Sequence, residues 1–351
     1  MCADARENPR DCFGVFEIQR RAAFSPAGLR DSKWLQEAGQ TLGMRGIDGE
    51  FEMVAAAGSG QRTACQKGAA YLSCAFASPR GKWGRIARWY LRLSEAMAMW
   101  TPDRIIADAA AIKENLQSRY RRLPPCDVIP YGCEIVSGAR PEDLKSFGLE
   151  PGSYYLVVCR FEPENLIREI VEGFLGSNTQ ARLVLVGDHT RKSVYVQSLG
   201  KYRSDRLVFT GPIYDVTRLQ ALRYFCRGYL HGHSVGGTNP SLLEAMGCGN
   251  VVIANDNPFN REVLGGSAIF FSTPEEVSAG LHGVDTGKVD IANMKARVVE
   301  RVKLYYSWSR ITDYYCELIS LASSKSRGRG EVIHGAPVLA NEADLDVVRS
   351  G

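Results

Sequence analysis

The chain has 351 residues and a formal net charge of +4 at pH 7, with 45% hydrophobic and 23% charged residues. This length can hold two domains with separate cores, and the composition is ordinary for a soluble globular protein. The mild charge gives no support to a nucleic-acid partner, and the lack of a signal-peptide pattern or a bilayer-length apolar run predicts a cytoplasmic protein.

Residues 1–80 are unusually poor in β-branched aliphatic side chains, which are limited to Val15, Ile18, Ile47 and Val54. Buried parallel strands read as continuous Val/Ile/Leu runs, and no such run stands before residue 100. We therefore expect this segment to be largely irregular or weakly helical and poorly structured. A structured but divergent domain is the alternative.

Residues 82–97 predict an amphipathic helix, since apolar and basic residues recur at helical spacing on neighbouring faces. One interpretation is a helix that rests on an anionic membrane surface, which would place the protein peripherally at the inner face of the membrane. The other is an ordinary domain helix with a solvated basic face. The apolar positions are Trp83, Ile86, Tyr90, Leu93 and Met97, and the basic ones are Lys82, Arg85, Arg88 and Arg92.

A short strand is predicted at Arg104–Ala107, then a helix through Tyr120 and a strand at Asp127–Pro130. Residues 81–139 thus read as the closing βαβ part of a first α/β domain.

Residues 140–320 show the full alternation of strands and helices that a doubly wound parallel sheet requires. Ligands bind at the carboxyl ends of the strands in such sheets, where Arg160, Gly187, Gly211 and the segment 231–238 are predicted to lie. The predicted strands are Tyr154–Cys159, Arg182–Val186, Leu207–Phe209, Gly228–Leu230, Val251–Ala254 and Ala268–Phe271.

An aromatic helix follows over residues 306–318, and residues 321–351 have the Ser, Gly and Arg enrichment of a mobile tail.

The segment 229–249, YLHGHSVGGTNPSLLEAMGCG, carries the chemistry. Asn239 is a good helix cap and Pro240 suits the first helical position, so a helix is predicted to start there. Its free N–H groups favour an anion, most often a phosphate. Glu244 lies just over one turn inside, where a carboxylate can accept hydrogen bonds from sugar hydroxyls.

Gly236 and Gly237 precede that helix and would let the backbone approach a ligand closely, with Thr238 adding a hydroxyl. A βα turn of an α/β domain can also look like this for packing reasons alone. Together with Glu244, the segment favours a site for a nucleotide sugar.

His231 and His233 flank a glycine with no cysteine or carboxylate at metal spacing, so no metal site is expected. We expect His231 to be a histidine bonded to the backbone and His233 to reach the donor. The ten cysteines form no CxxC pair and favour buried free thiols.

The residues after Glu244, Ala-Met-Gly-Cys-Gly and then the apolar Asn250–Ala254, make this stretch similar to the donor-sugar motif of the family 4 retaining glycosyltransferases. That family has the α/β GT-B fold of two facing Rossmann-like domains, and the resemblance covers roughly residues 81–320. Residues 1–80 do not match, so the N-terminal, acceptor-binding domain is expected to be incomplete. The family has two glutamates eight positions apart. Glu244 matches the second, while the first falls on Gly236, as is usual in the rhamnosyltransferase-like branch that HGHSVGGTNPSLLEAM resembles.

The resemblance implies that Glu244 holds the nucleotide ribose and that Arg160 neutralises the leaving diphosphate, so these two are the expected catalytic residues. Asn165 stands near the position of a family lysine and could give the diphosphate only a neutral contact. No metal or other cofactor is implied, because the leaving diphosphate itself assists the attacking hydroxyl on the same face. The expected donor-binding residues are Asn165, Gly211, His233, Gly236, Gly237, Thr238, Asn239, Ser241 and Glu244.

The resemblance implies a retaining transferase that moves a hexose, in this branch rhamnose, from a nucleotide-diphosphate donor to a lipid-linked or polysaccharide acceptor. The alternative is an impaired remnant that binds the nucleotide sugar only. A nucleotide-sugar epimerase would share the donor pocket but would need acid and base residues that the spacing does not reveal.

Overall fold

The computed structural model describes residues 104–190 and 193–324, and before them two short strands together with Trp89, Ala96, Met99 and Pro102. These residues form two compact units. The first includes the described residues up to Tyr131, then Gly236–Thr238 and the last helix. The second includes residues 132–235 and 239–307. The first stretch of the first unit thus ends at Tyr131, and the helix after residue 307 belongs to that unit.

The first unit contains a four-stranded sheet in the order β1–β2–β3–β4. β1 pairs antiparallel with β2, and β2, β3 and β4 run parallel. All four residues of β3 are buried, as expected for a central parallel strand. The strands are β1 Ala55–Ala56, β2 Ala69–Leu72, β3 Arg104–Ala107 and β4 Cys126–Val128.

Strand β2 lies within residues 1–80, which were expected to be largely irregular, and runs parallel to β3, with Ala69 paired to Arg104 and Leu72 to Ala107. Strand formation needs backbone pairing rather than β-branched side chains, and strand propensity depends strongly on context. Apart from β1 and β2, residues 1–80 lie outside the described residues, and the predicted irregularity of the segment stays a prediction.

Helix α1, Ala110–Arg119, connects β3 to β4 and buries Ile112 and Leu116. At the other end of the chain, helix α9, Trp308–Ser324, buries Ile311 and Leu318 against Ile106 and Ile129. This aromatic segment thus completes the core of the first unit.

The helix predicted over 82–97 falls outside the described residues except for Trp89 and Ala96, both helical. Its contact with a membrane stays a prediction. Among the helices that the structure describes, none has the length and apolar character needed to cross a bilayer.

The second unit is built on a six-stranded sheet in the order β10–β9–β8–β5–β6–β7, in which every pairing is parallel. The chain starts at a central strand, moves to one edge and then returns to build the other half. The strands are β5 Tyr154–Val158, β6 Arg182–Val186, β7 Leu207–Gly211, β8 Gly228–His231, β9 Val252–Asn255 and β10 Ile269–Phe271.

Helices connect these strands and cover both faces of the sheet, so alternate residues of β5 enter different cores. Tyr155 and Val157 belong to one core, and Tyr154 and Leu156 to the other. The helices are α2 Ile167–Gly176, α3 Val194–Leu199, α4 Val216–Phe225, α5 Pro240–Gly247, α6 Pro258–Leu264, α7 Pro274–Asp285 and α8 Ile291–Arg301. All six strands predicted for this unit are present, with ends shifted by at most two residues.

The six cysteines that the structure describes are free thiols, and Cys126, Cys133 and Cys226 among them are buried. The prediction of buried free thiols is confirmed for those three.

Candidate functional site

The strand order of the second unit fixes where a ligand can enter. β5 and β8 are neighbours, and the strand sequence runs outward from this pair in both directions. Loops that leave two such strands diverge and open a crevice at their carboxyl ends. The loop after β5 carries Arg160 and Asn165, and the loop after β8 carries His233.

Helix α5 begins where the sequence predicted, at Pro240 after the cap Asn239. The Asn239 side-chain oxygen accepts a hydrogen bond of 2.9 Å from the Ser241 backbone N–H. Leu242 and Leu243 are fully buried, which fixes the helix against the sheet. The cap satisfies one of the free N–H groups at this end of the helix.

The three residues before the cap belong to the first unit. Gly236 has a φ of 109°, a conformation that favours glycine. A Cβ at Gly237 would overlap the Asp108 carboxylate, so any other residue here would have to displace that side chain. Thr238 is buried, and its hydroxyl donates a hydrogen bond of 2.5 Å to the Asp108 carbonyl oxygen. The Thr238 hydroxyl, which was predicted to bind the ligand, is thus already hydrogen-bonded within the protein.

Glu244 forms an ion pair that the sequence did not reveal. Its Oε2 lies 2.5 Å from Nη2 of Arg223, which stands in the last turn of α4. The Arg223 side chain is 6% exposed and the Glu244 side chain 22%. Burial raises the pKa of the Glu244 carboxyl above its ordinary value, and the Arg223 guanidinium opposes that shift.

Ser241 extends this pair into a hydrogen-bonded group. Its Oγ accepts a bond of 3.3 Å from Arg223 Nη2 and lies 2.8 Å from the Tyr229 hydroxyl. Both hydroxyls also reach the carbonyl oxygen of Val158, at 3.1 Å from Ser241 and 3.3 Å from Tyr229. The predicted donor residues Ser241 and Glu244 are therefore brought together, through Arg223.

Asn165 and His233 form a second group. The Asn165 amide donates a bond of 2.7 Å to the Arg160 carbonyl oxygen, so its Oδ1 faces His233 Nδ1 at 2.8 Å. Since an amide oxygen can only accept, Nδ1 of His233 carries the proton and Nε2 has the lone pair. Burial, followed by the charge of Arg160, lowers the pKa of His233 to about 4, so the ring is neutral at pH 7.

The loop that carries His233 is held from three sides. The His233 carbonyl oxygen accepts bonds of 2.9 Å from the side-chain amides of both Asn257 and Asn260. The Ser234 N–H and hydroxyl both donate to the Glu164 carbonyl oxygen at 2.9 Å. A Cβ on Gly232 would lie 2.1 Å from the Asn165 carbonyl oxygen, so the loop meets the β5 loop at backbone distance.

His231 lies beneath this loop at the end of β8, and its Nε2 is buried without a hydrogen bond to any residue that the structure describes. Burial and the neighbouring His233 keep its pKa well below the ordinary value, so it is neutral. His231 was expected to bond the backbone; in the described part of the chain its Nε2 makes no such bond, and the ring stacks on Tyr229 with ring centroids 6.1 Å apart.

The side chain of Arg160 and the backbone at Gly211 belong to neither of these two hydrogen-bonded groups. Arg160 is exposed just beyond β5. Gly211 ends the edge strand β7 with a φ of 76° and lies two strands away from β5. No group of three His, Cys, Asp or Glu side chains in the described part of the chain is arranged to hold a metal ion.

Sequence reasoning missed three residues that shape the site: Arg223, Asn257 and Asn260. Arg223 follows Leu219 and Leu222 at helical spacing, which puts it on the buried face of α4. A charged residue on the apolar face of a helix indicates a buried partner of opposite charge, and this pattern could have identified Arg223 from the sequence. Both asparagines follow β9. Asn257 caps α6 and Asn260 lies in its first turn, and this local role does not reveal their contact with the neighbouring loop.

No protein-family model and no curated protein matches the sequence. Solved structures do match. HepE of Anabaena in complex with UDP is 17% identical, with 72% of each chain covered and a TM-score of 0.61. The sucrose-phosphate synthase of Thermosynechococcus elongatus is 16% identical, with 71% of this chain and 65% of that chain covered and a TM-score of 0.58.

The pneumococcal O-GlcNAc transferase GtfA, in complex with UDP and GlcNAc, is 14% identical, with 73% of this chain and 52% of that chain covered and a TM-score of 0.54. This chain therefore spans about two thirds of the synthase and about half of GtfA. At these identities the likeness shows the fold, which is the α/β fold of the GT-B type.

Proposed function

We propose that the chain is a glycosyltransferase that binds a nucleotide-diphosphate sugar at the carboxyl edge of the six-stranded sheet. The observation that carries this proposal is the placement of Glu244. It stands one turn inside a capped helix at the strand switch point, and its Oε2 is paired while Oε1 forms no hydrogen bond to a described residue. HepE and GtfA, two structurally similar chains, are complexes with UDP, which supports a nucleotide of this class.

Each part of the donor has a matching group. The positive dipole end of α5 favours a phosphate, although the N–H groups of Ser241, Leu242 and Leu243 all bond Asn239. The exposed Arg160 beside the same crevice suits the diphosphate charge. Oε1 of Glu244 can accept hydrogen bonds from the ribose hydroxyls. The Asn165 amide is neutral and adds no charge. It is buried, and both of its ends are bonded within the protein.

His233 suits the sugar rather than the diphosphate. With Nδ1 protonated toward Asn165, its free ring nitrogen is purely an acceptor. An acceptor binds a hydroxyl and repels a phosphate oxygen. We therefore assign His233 a contact to a hydroxyl of the sugar.

The reaction we propose is transfer with retention of a hexose, rhamnose in the first instance, to a lipid-linked or polysaccharide acceptor. The bond from the anomeric carbon to the diphosphate oxygen breaks as the acceptor oxygen bonds to the same face, and the acceptor proton passes to the leaving diphosphate. The protein contributes charge at Arg160 and the positioning of the donor.

Binding without transfer is the second candidate, because neither Gly236 nor Asn165 has the charged side chain found at the matching family position. An assay of sugar transfer distinguishes the two candidate functions, since both require the nucleotide site and only the transferase turns the donor over.

Titration calorimetry with UDP and dTDP tests the binding site. Glu244→Gln is expected to weaken binding of the nucleotide by about 1–3 kcal/mol, the value of a hydrogen bond to a charged group. Glu172→Gln is the matched control, because that carboxylate bonds the Tyr202 hydroxyl away from the crevice. Equal affinity in wild type and Glu244→Gln would remove Glu244 from the site.

Release of nucleoside diphosphate from UDP-glucose and dTDP-rhamnose, with and without a lipid-linked acceptor, tests transfer. Release that depends on the acceptor supports the transferase. Tight binding without release supports the binding-only candidate.

A further inference from the structure

We propose that Arg223 is a positioning residue for the donor site, which orients the Glu244 carboxylate toward the ribose hydroxyls and supplies its counter-charge. This inference rests on the proposed function and identifies how the ribose would be recognised. Arg223 itself would not touch the nucleotide, since its side chain is 6% exposed.

The position of Arg223 is set by its helix. Ala221, Leu222 and Arg223 are all buried at the end of α4, so the guanidinium is fixed against the sheet. From there its Nη2 reaches both Glu244 Oε2, at 2.5 Å, and Ser241 Oγ, at 3.3 Å. One nitrogen thus links two residues of α5, one turn apart, and limits the directions that the carboxylate can take.

The ion pair leaves one oxygen of Glu244 that can still accept a hydrogen bond from a ligand. Glu244 is 22% exposed, and its second oxygen has no hydrogen bond within the described residues. Arg223 therefore holds one carboxylate oxygen, while the other can still accept a hydrogen bond. The 3′-hydroxyl of the nucleotide, which UDP and dTDP share, is a group that such an acceptor can recognise.

Burying the Arg223–Glu244 ion pair is energetically unfavourable in part, so a contribution to stability does not by itself explain why the pair is present. Arg223 Nε is buried and has no hydrogen-bond partner among the residues described. An unsatisfied buried donor is unfavourable, and a buried ion pair is weak evidence for stability. A role for the arginine in holding Glu244 accounts for its presence.

Arg223 is the cation that faces Glu244 among the described groups around it. The others are Cys133, from the segment before the sheet, Cys248, at the end of α5, and Tyr229, on β8. Burial raises the pKa of each of these three groups, so all are neutral near pH 7. Without Arg223, burial would favour the protonated carboxyl of Glu244, which loses the anionic acceptor.

The test compares Arg223→Lys, which keeps the charge, with Arg223→Gln, which keeps a hydrogen-bond donor only. Calorimetry measures the affinity for whichever of UDP and dTDP binds and for its 3′-deoxy analogue, from about pH 6 to about pH 9. The ratio of the two affinities reports recognition of the ribose hydroxyl. In the wild type it should be about tenfold and independent of pH.

In Arg223→Gln the ratio should be smaller than in the wild type and should fall further as pH drops, because burial without the guanidinium favours the protonated carboxyl of Glu244. Arg223→Lys should keep most of the ratio at every pH. Arg227→Gln is the control, since Arg227 pairs with Asp285 outside the crevice and its loss should leave the ratio unchanged.

The inference is overturned if folded Arg223→Gln keeps the wild-type ratio at all pH values, or if the Lys and Gln variants behave alike. If the Gln variant does not fold, the Lys variant decides. A ratio that stays near the wild-type value supports the inference, and a ratio near one overturns it. The proposed function fails separately, when neither UDP nor dTDP binds the wild type or when Glu244→Gln leaves the ratio intact, and the inference falls with it.

Discussion

Replacing Glu244 by alanine should destabilise the second unit by about 3 kcal/mol. The change leaves the Arg223 guanidinium buried, at 6% exposure, without a counter-charge. Breaking one side of a buried ion pair costs roughly 3–5 kcal/mol. We take the lower end because Glu244 is 22% exposed, so that water can enter the space the carboxylate leaves.

Asp256→Ala is the matched control for this experiment. Asp256 and Arg261 also lie 2.5 Å apart, but their side chains are 33% and 57% exposed, so water replaces the lost partner. The two variants therefore remove the same contact at different burial, and Asp256→Ala should cost far less.

Urea unfolding followed by far-UV circular dichroism measures both variants. Tryptophan fluorescence is unsuitable, because residues 132–235 and 239–307, which make up the second unit, contain no tryptophan. Removing both charges in Arg223→Met/Glu244→Leu should recover most of the loss. The reasoning is refuted if Glu244→Ala costs no more than Asp256→Ala, or if the double variant is less stable than Glu244→Ala.

Three further predictions follow from the site. Arg160→Ala should weaken the binding of UDP or dTDP more than that of the free nucleoside, and equal losses in calorimetry would contradict its diphosphate role. The pKa of His233 is about 4 in the folded chain and about 6.5 when unfolded, so the unfolded state binds more protons between these values. Stability should therefore fall as pH drops through this window, and less steeply in His233→Gln; parallel slopes in urea titrations would refute this. Gly232→Ala should cost about 2 kcal/mol or more because its Cβ would lie 2.1 Å from the Asn165 carbonyl oxygen, whereas Gly176→Ala, with open space, should be tolerated in thermal melts.

The fold of the second unit follows from local sequence because its strands are apolar runs between helical segments. Tyr154–Val158 and Arg182–Val186 are strands buried on both faces, and such runs have few other stable structures. Strand Ala69–Leu72 has no such run, and its pairing with Arg104–Ala107 is set by tertiary context that the local pattern does not contain.

The site was predictable where one segment builds it and not where distant segments meet. The cap Asn239 and the position of Glu244 belong to a single stretch of sequence. Arg223 precedes Glu244 by more than twenty residues, and its contact depends on how α4 and α5 pack on one face of the sheet. The amide that fixes the His233 tautomer comes from Asn165, on a different strand loop.

The loop 231–235 has consequences for moving this site into another protein. Its shape is imposed from outside, by the amides of Asn257 and Asn260 on the His233 carbonyl oxygen and by the Glu164 carbonyl oxygen that accepts both Ser234 donors. A graft of the segment 229–249 alone would carry the recognisable motif without those restraints. A transferable donor module must therefore add three discontinuous pieces to that segment, the β5 loop, the end of α4 with Arg223 and the start of α6, held at their native spacing by the sheet.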